Sequence, residues 1–178
     1  MKLKLIKDNL VIPQTSGKRI IPEKTKLFSW IDADFRNWGA YERGEPKPET
    51  KCALYELVED ATFEEMLKEL GDPEKLCMTW EQIIKFIKKY KGELKEGKSG
   101  VFFLFRSYDE LFIAYVYAKF KSNLCVTISH FENSLIMNGH NNPHVVVPQL
   151  PAHSETEPVD LDGEIIELKG RKYKLVRE

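Results

Sequence analysis

Several things are scarce in this 178-residue chain, and each scarcity removes a class of function. The longest apolar run, around "LFIAYVYAKF", is far too short to span a bilayer. The first ten residues, "MKLKLIKDNL", lack the apolar core and small-residue cleavage site of a signal peptide, so a cytoplasmic protein is expected. Cysteine appears 3 times, at Cys52, Cys77 and Cys125, far apart and each beside apolar residues. That usage reads as small hydrophobes in a reducing compartment rather than a disulfide framework. An excess of either charge is also missing: Lys plus Arg number 27 against 28 Asp plus Glu, a net charge of −1. A protein whose main task is gripping nucleic-acid backbone usually carries a strong positive excess. The balance leaves a local basic patch open.

What is present suits a folded domain. The chain is 42% hydrophobic and 11% aromatic, and a chain this long buries roughly two-thirds of its unfolded surface without needing a metal or disulfide. "KLKLIKDNLVIP" alternates as a first strand. In "KLFSWIDADFRNWG", Leu27, Ile31, Phe35 and Trp38 follow helical spacing, with Gly39 as the stop. "KCALYELVED" reads as a strand. Thr62 with Glu65, and Thr79 with Gln82, are capping boxes, and Asp72-Pro73 opens a further turn of helix. After Thr79, the residues Trp80, Ile83, Ile84, Ile87 and Tyr90 form one apolar face, opposite Lys85, Lys88 and Lys89.

The second half changes character. "GVFFLFR", "LFIAYVYAKF" and "NLCVTISHF" succeed one another across "SYDE" and "KSN", which predicts an antiparallel meander with "HVVVPQL" as a fourth strand. Leu124, Val126 and Ile128 alternate with Cys125, Thr127 and Ser129, one buried face and one polar. The expected fold class is α+β: short N-terminal helices packed on an antiparallel β-sheet or partly closed barrel, with a C-terminal β-hairpin. Barrel closure would account for strands that are apolar on both faces. Residues 1–150 form the single domain in this reading. Residues 151–163 are an acidic, proline-containing linker, and residues 164–178 are the hairpin appendage.

Each motif with chemical content also has a plain structural role. All four histidines, His130, His140, His144 and His153, fall in one region, and "NGHNNPH" sets two of them four apart. Asn-Asn-Pro between them breaks any helix, so the spacing loses its metal-binding geometry and reads as turn chemistry. Asp32 and Asp34 form a D-x-D pair, but Arg36 and Asn37 stand where an EF-hand needs Asp or Asn and Gly. "SGKR" lacks the upstream Gly and following Ser or Thr of a phosphate-binding loop. "KSGVFFLFRSY" alternates Phe103 and Phe105 like an RNA-recognition strand, yet is apolar on both faces, which fits burial better than an open stacking platform. No catalytic residue, metal site or cofactor is read from the chain.

Taken together, "SWIDADFRNWG", "LCMTWEQIIKF", "VFFLF", "LFIAYV" and "HVVVPQL" resemble an uncharacterised family of hypothetical proteins from candidate-phylum bacteria and their mobile elements. The resemblance covers residues 1–150 and supplies no activity and no site residue. It implies an accessory or mobile-element protein.

The functional expectation is a non-catalytic binding or interaction module whose partner is another protein. Its candidate surface is Trp30, Asp34, Arg36 and Asn37, because aromatic and Arg side chains anchor interfaces. The alternative is a metal-dependent phosphodiesterase or nuclease using Asp32 and Asp34. A third reading is a nucleic-acid binder through the Lys85–Lys91 face, with Lys85, Lys88 and Lys89 as contacts. No membrane association is expected, and the sequence does not set an oligomeric state.

Overall fold

The computed structural model describes residues 1–21, 26–93, 100–119, 123–149, 165–168 and 171–174, the last two stretches by backbone alone. The elements are strand β1 (Leu3–Ile12), β2 (Phe28–Ile31), helix α1 (Asp34–Asn37), β3 (Thr50–Leu57), α2 (Phe63–Lys68), α3 (Pro73–Leu76) and α4 (Trp80–Tyr90). They continue with β4 (Val101–Ser107), β5 (Glu110–Lys119), β6 (Asn123–His130), β7 (His144–Pro148), β8 (Ile165–Leu168) and β9 (Arg171–Lys174). Seven strands form one sheet in the order β1-β3-β7-β4-β5-β6-β2, while β8 and β9 pair only with each other. Among the described residues no helix is long and apolar enough to cross a membrane.

This architecture overturns the expected fold class in three respects. The sheet is mixed, because β7 runs parallel to β4 and β2 runs parallel to β6; its other four pairings are antiparallel. It is an open sheet edged by β1 and β2, not a closed barrel. The N-terminal part is mainly strands. The helix expected from Leu27 through Trp38 is instead the strand Phe28–Ile31 followed by the short helix Asp34–Asn37. The reason is non-local: the amides and carbonyls of 28–32 pair with β6, nearly 100 residues away, Asp32 N–H donating to the Val126 carbonyl at 3.0 Å. A short apolar run fits either period, and the waiting edge of β6 decides between them.

The meander β4–β5–β6 runs in continuous antiparallel register, from Ser107↔Glu110 to Lys119↔Asn123. What no local pattern indicates is that β7 wedges between β3 and β4, closing the N-terminal pair β1–β3 onto the meander. The expected linker, residues 151–163, lies outside the described residues.

Apolarity on both faces of β4 comes from two layers of cover rather than from barrel closure. On the first face Val101, Phe103 and Phe105 share a core with Trp80, Ile83, Ile84 and Ile87 of α4 and with Ile20, Ile21 and Phe35. On the second, Phe102 and Leu104 meet Phe63, Met66 and Leu67 of α2 and Leu76 of α3. Both capping boxes form: the Gln82 N–H donates to Thr79 Oγ1 at 3.3 Å and the Thr79 N–H to Gln82 Oε1 at 2.9 Å, with the same exchange at Thr62 and Glu65.

"SGKR" is a latch rather than a phosphate loop. The buried Glu81 carboxylate accepts from the Ser16 N–H at 3.0 Å and from the Ser16 hydroxyl at 2.9 Å, and faces Lys85 and Arg19. Burial pushes its pKa up, but the two Ser16 donors and the two cations outweigh this and hold it below the usual value. Gly17 has φ +73°, and a Cβ there would lie 2.1 Å from the Gly44 carbonyl oxygen. Only glycine closes this latch.

Candidate functional site

Of the surface expected from sequence, Asp34, Arg36 and Asn37 lie on α1, while Trp30 belongs to β2. Asp32 Oδ1 accepts from the Asp34 N–H at 3.2 Å, and Asp34 Oδ1 accepts from Asn37 Nδ2 at 2.9 Å. Both carboxylates thus close the turn that leads into and along α1. Phe35 is fully buried, 5.3 Å from the Trp80 ring, and Trp38 lies over His130 at 4.5 Å. Trp30 stands apart, 48% exposed on the sheet edge.

Two of the three candidate nucleic-acid lysines are bound up in the fold. Lys85 donates to the Gln14 carbonyl, and Lys89 donates to the Val11 carbonyl at 2.8 Å while sitting 5.3 Å over the Tyr90 ring. Both tie α4 to the chain at and beyond the end of β1. Lys88 is exposed.

The three described histidines sit in three different elements. His140 lies in a turn capped by Asn138, whose Oδ1 accepts the His140 N–H at 2.8 Å, and Asn142 takes a left-handed φ of 48°. His144 opens β7, and His153 lies outside the described residues. His130 ends β6, its Nδ1 3.6 Å from Glu110 Oε2. It lines a hollow of about 440 Å³ with Glu74, Asp109, Glu110 and Glu132, where Arg106 pairs with Glu74 at 2.7 Å. Among the described residues no group of three or more His, Cys, Asp or Glu is arranged to hold a metal ion.

The most distinctive surface is one the sequence reading passed over. The second face of the sheet is covered by α2 and α3 around β4 and β7, but it changes toward β5, β6 and β2. Here Tyr117, Thr127 and Ser129 are only partly buried, and Lys119, Asn123 and Trp30 are exposed. Register places Tyr117 opposite Cys125, and Cys125 opposite Trp30, in one row across three strands. The two aromatic residues are therefore two strand spacings apart at the backbone, about 10 Å, with a small side chain between them. Ser29, Trp30, Tyr117, Lys119, Asn123 and Cys125 line a groove of about 580 Å³.

The groove has a stiff wall. Tyr115 stacks on Tyr117 with ring centroids 5.2 Å apart and planes at 22°, and stacks in turn on Phe102 at 4.5 Å. The Tyr115 hydroxyl accepts the Gly100 N–H at 2.9 Å. Gly100 is required by this close approach: a Cβ would lie 2.3 Å from the Val116 carbonyl oxygen and 2.6 Å from the Tyr115 ring. One face of Tyr117 is thus occupied by Tyr115, and Tyr117 lines the groove. Burial, then the neighbouring Cys125, Tyr115 and Asp32, push the Tyr117 hydroxyl above its usual pKa, so it stays neutral and donor-competent near neutral pH. The Ser29 hydroxyl donates to the Leu124 carbonyl at 3.0 Å and lies 3.8 Å from Cys125 Sγ, fixing the floor.

The signal was present in "LFIAYVYAKF". Tyr115 and Tyr117 alternate with Ala114 and Val116, so both tyrosines share a face with the polar residues Thr127 and Ser129 of the next strand. Burial pushes the thiols of Cys52 and Cys77 up to about 12, and all three cysteines are free. Comparison with known proteins finds no family model, no curated protein and no solved structure that matches this chain.

Proposed function

We propose that this protein is a non-catalytic binding module whose recognition surface is the aromatic groove at the β5–β6–β2 corner. The observation that carries the reading is the position of Trp30. A half-exposed tryptophan on a sheet edge, across a small cysteine from a braced tyrosine, offers rigid apolar area at little conformational cost. Among the described residues the groove pairs no nucleophile with a base, and the carboxylates of Asp32 and Asp34 are engaged in local turn bonds. The surface first drawn through Asp34, Arg36 and Asn37 therefore contracts in this proposal to Trp30 and its sheet neighbours. The three free thiols support a reducing compartment such as the cytoplasm. The resemblance to the candidate-phylum family supports an accessory role without adding an activity.

The reading is tested by mapping amide and indole NMR shifts while titrating three ligand classes separately: single-stranded oligonucleotides, aromatic-containing peptides and soluble glycans. At least one class is expected to shift the Trp30 indole and Tyr117 amide together. Shifts confined to α4 or to the acidic hollow would overturn the proposal. So would a metal-dependent hydrolysis of phosphodiesters that disappears in Asp34→Asn.

A further inference from the structure

We infer that the groove takes an unpaired base of a single-stranded nucleic acid, with an adjoining phosphate held by Lys119. This rests on the binding-module reading above and names the ligand class of the same site. Lys119 pairs in register with Asn123 at the start of β6, and both line the groove at that end. Asp32 follows Trp30 by two residues and hydrogen-bonds through its N–H to the Val126 carbonyl, which puts it toward the opposite end. The site is therefore graded: a cation and an amide at one end, flat rings in the middle, a carboxylate at the other.

A nucleotide matches that grading. Its base is a flat surface for the Tyr117 and Trp30 rings that line the groove, and its phosphate is the anion that the lysine end favours. An edge carboxylate can accept from a base amino group without meeting the phosphates. The groove lies at the β2 edge of the sheet. A free small molecule is normally held in a site that buries most of its surface, whereas a strand continues beyond its stacked base and gains contacts outside the groove. The whole-chain charge of −1 fits a site in which stacking supplies most of the affinity and electrostatics little.

Two numbers follow. Removing one stacking ring is expected to weaken binding roughly 5- to 150-fold. With one lysine at a phosphate, the logarithm of the association constant should fall against the logarithm of salt with a slope of about −0.7, the value for one phosphate neutralised on a single strand.

The experiment measures fluorescence anisotropy of a labelled ten-residue single-stranded DNA and RNA, a duplex of the same sequence, and AMP as a competitor, on the full chain. Binding of a single strand that weakens in Trp30→Ala and in Tyr117→Ala supports the inference, provided both variants keep the parent's melting temperature. A slope that becomes shallower by about 0.7 in Lys119→Gln supports it as well. Tyr117→Phe serves as the second variant if Tyr117→Ala loses stability; it keeps the ring and should bind. AMP competing as tightly, per molecule, as the oligonucleotide would overturn the strand in favour of a free nucleotide. Equal affinity for duplex, or loss of binding in Lys88→Glu but not in Trp30→Ala, would overturn the site. Absence of any nucleic-acid binding, with peptide or glycan still shifting the Trp30 indole, would overturn this ligand class and leave the binding-module reading standing.

Discussion

Two regions of the same sheet face differ sharply although one set of strands runs through both. Around β4 and β7 the second face is Phe102, Leu104, Val145 and Val147, sealed beneath Phe63, Met66, Leu67 and Leu76. Around β6 the same face is Cys125, Thr127 and Ser129, flanked by Tyr117 and Trp30. The chain's helices α2 and α3 are 6 and 4 residues long, roughly 9 and 6 Å at 1.5 Å per residue, while seven strands at about 4.8 Å spacing make a much wider face. Cover ends where the helices end, and residue type changes with it. The exception is the aromatic pair, which stays partly open where a sheet with only structural duties would carry more Thr and Ser.

That contrast breaks most readily in the sealed regions. Ile87 is fully buried on the first face, where α4 meets the sheet. Ile87→Asp would place an unpaired carboxylate there, and a loss of more than about 4 kcal/mol is expected. The readout is urea unfolding, and an unchanged midpoint would show that α4 is not a cover at all. On the sealed part of the second face, Phe102 meets Phe63 edge-on at 5.2 Å and stacks on Tyr115 at 4.5 Å. Phe102→Ala should cost roughly 3–5 kcal/mol by the same measurement. It should also loosen Tyr115, and so the wall of the groove.

A middle-sized effect is expected at the latch. Glu81 has its folded pKa held below the usual carboxylate value, so it stabilises the fold above that value, and the contribution is lost as pH falls through the depressed pKa. Glu81→Gln should cost about 1–3 kcal/mol near neutral pH, and its deficit relative to the parent should shrink in acid. A parallel offset at every pH would remove Glu81 as the source of this acid sensitivity. The smallest effect belongs to the open corner: Trp30→Ala should change stability by under about 1 kcal/mol. A loss comparable to that of Phe102→Ala would erase the difference between the two regions.

Legibility in the sequence followed the range of the forces involved. The helix Trp80–Tyr90 and both capping boxes were readable because a cap and a periodic apolar stripe are set within a few residues. The hairpins β4–β5 and β5–β6 were readable from alternation and short connections. The stretch Leu27–Trp38 was misread as one helix, since Leu27, Ile31, Phe35 and Trp38 match helical spacing while the first part pairs as a strand. Trp30 lies half-exposed on β2 while Asp34, Arg36 and Asn37 sit on the helix α1 that follows, a separation set by the pairing of β2 with β6 and not by any local pattern. Tyr115 and Tyr117 went unread because their strand is apolar on its other face, which drew the whole segment into the core.

By itself, the sequence determined what its local chemistry could enforce: where helices start, which strands alternate, which strands are joined by short turns, and that charge is balanced along the whole chain. Tertiary structure alone decided that β7 lies between β3 and β4, that β2 joins β6 in parallel, and that both faces of β4 are covered by separate layers. It also decided that Trp30, Cys125 and Tyr117 form one row. Those outcomes depend on pairings between residues about 90 positions apart, such as Trp30 with Cys125 and Ala53 with Val147. The backbone groups that make such pairings are the same in every residue. Which edge receives which strand is therefore settled by the packing of the whole sheet and not by any segment's own pattern.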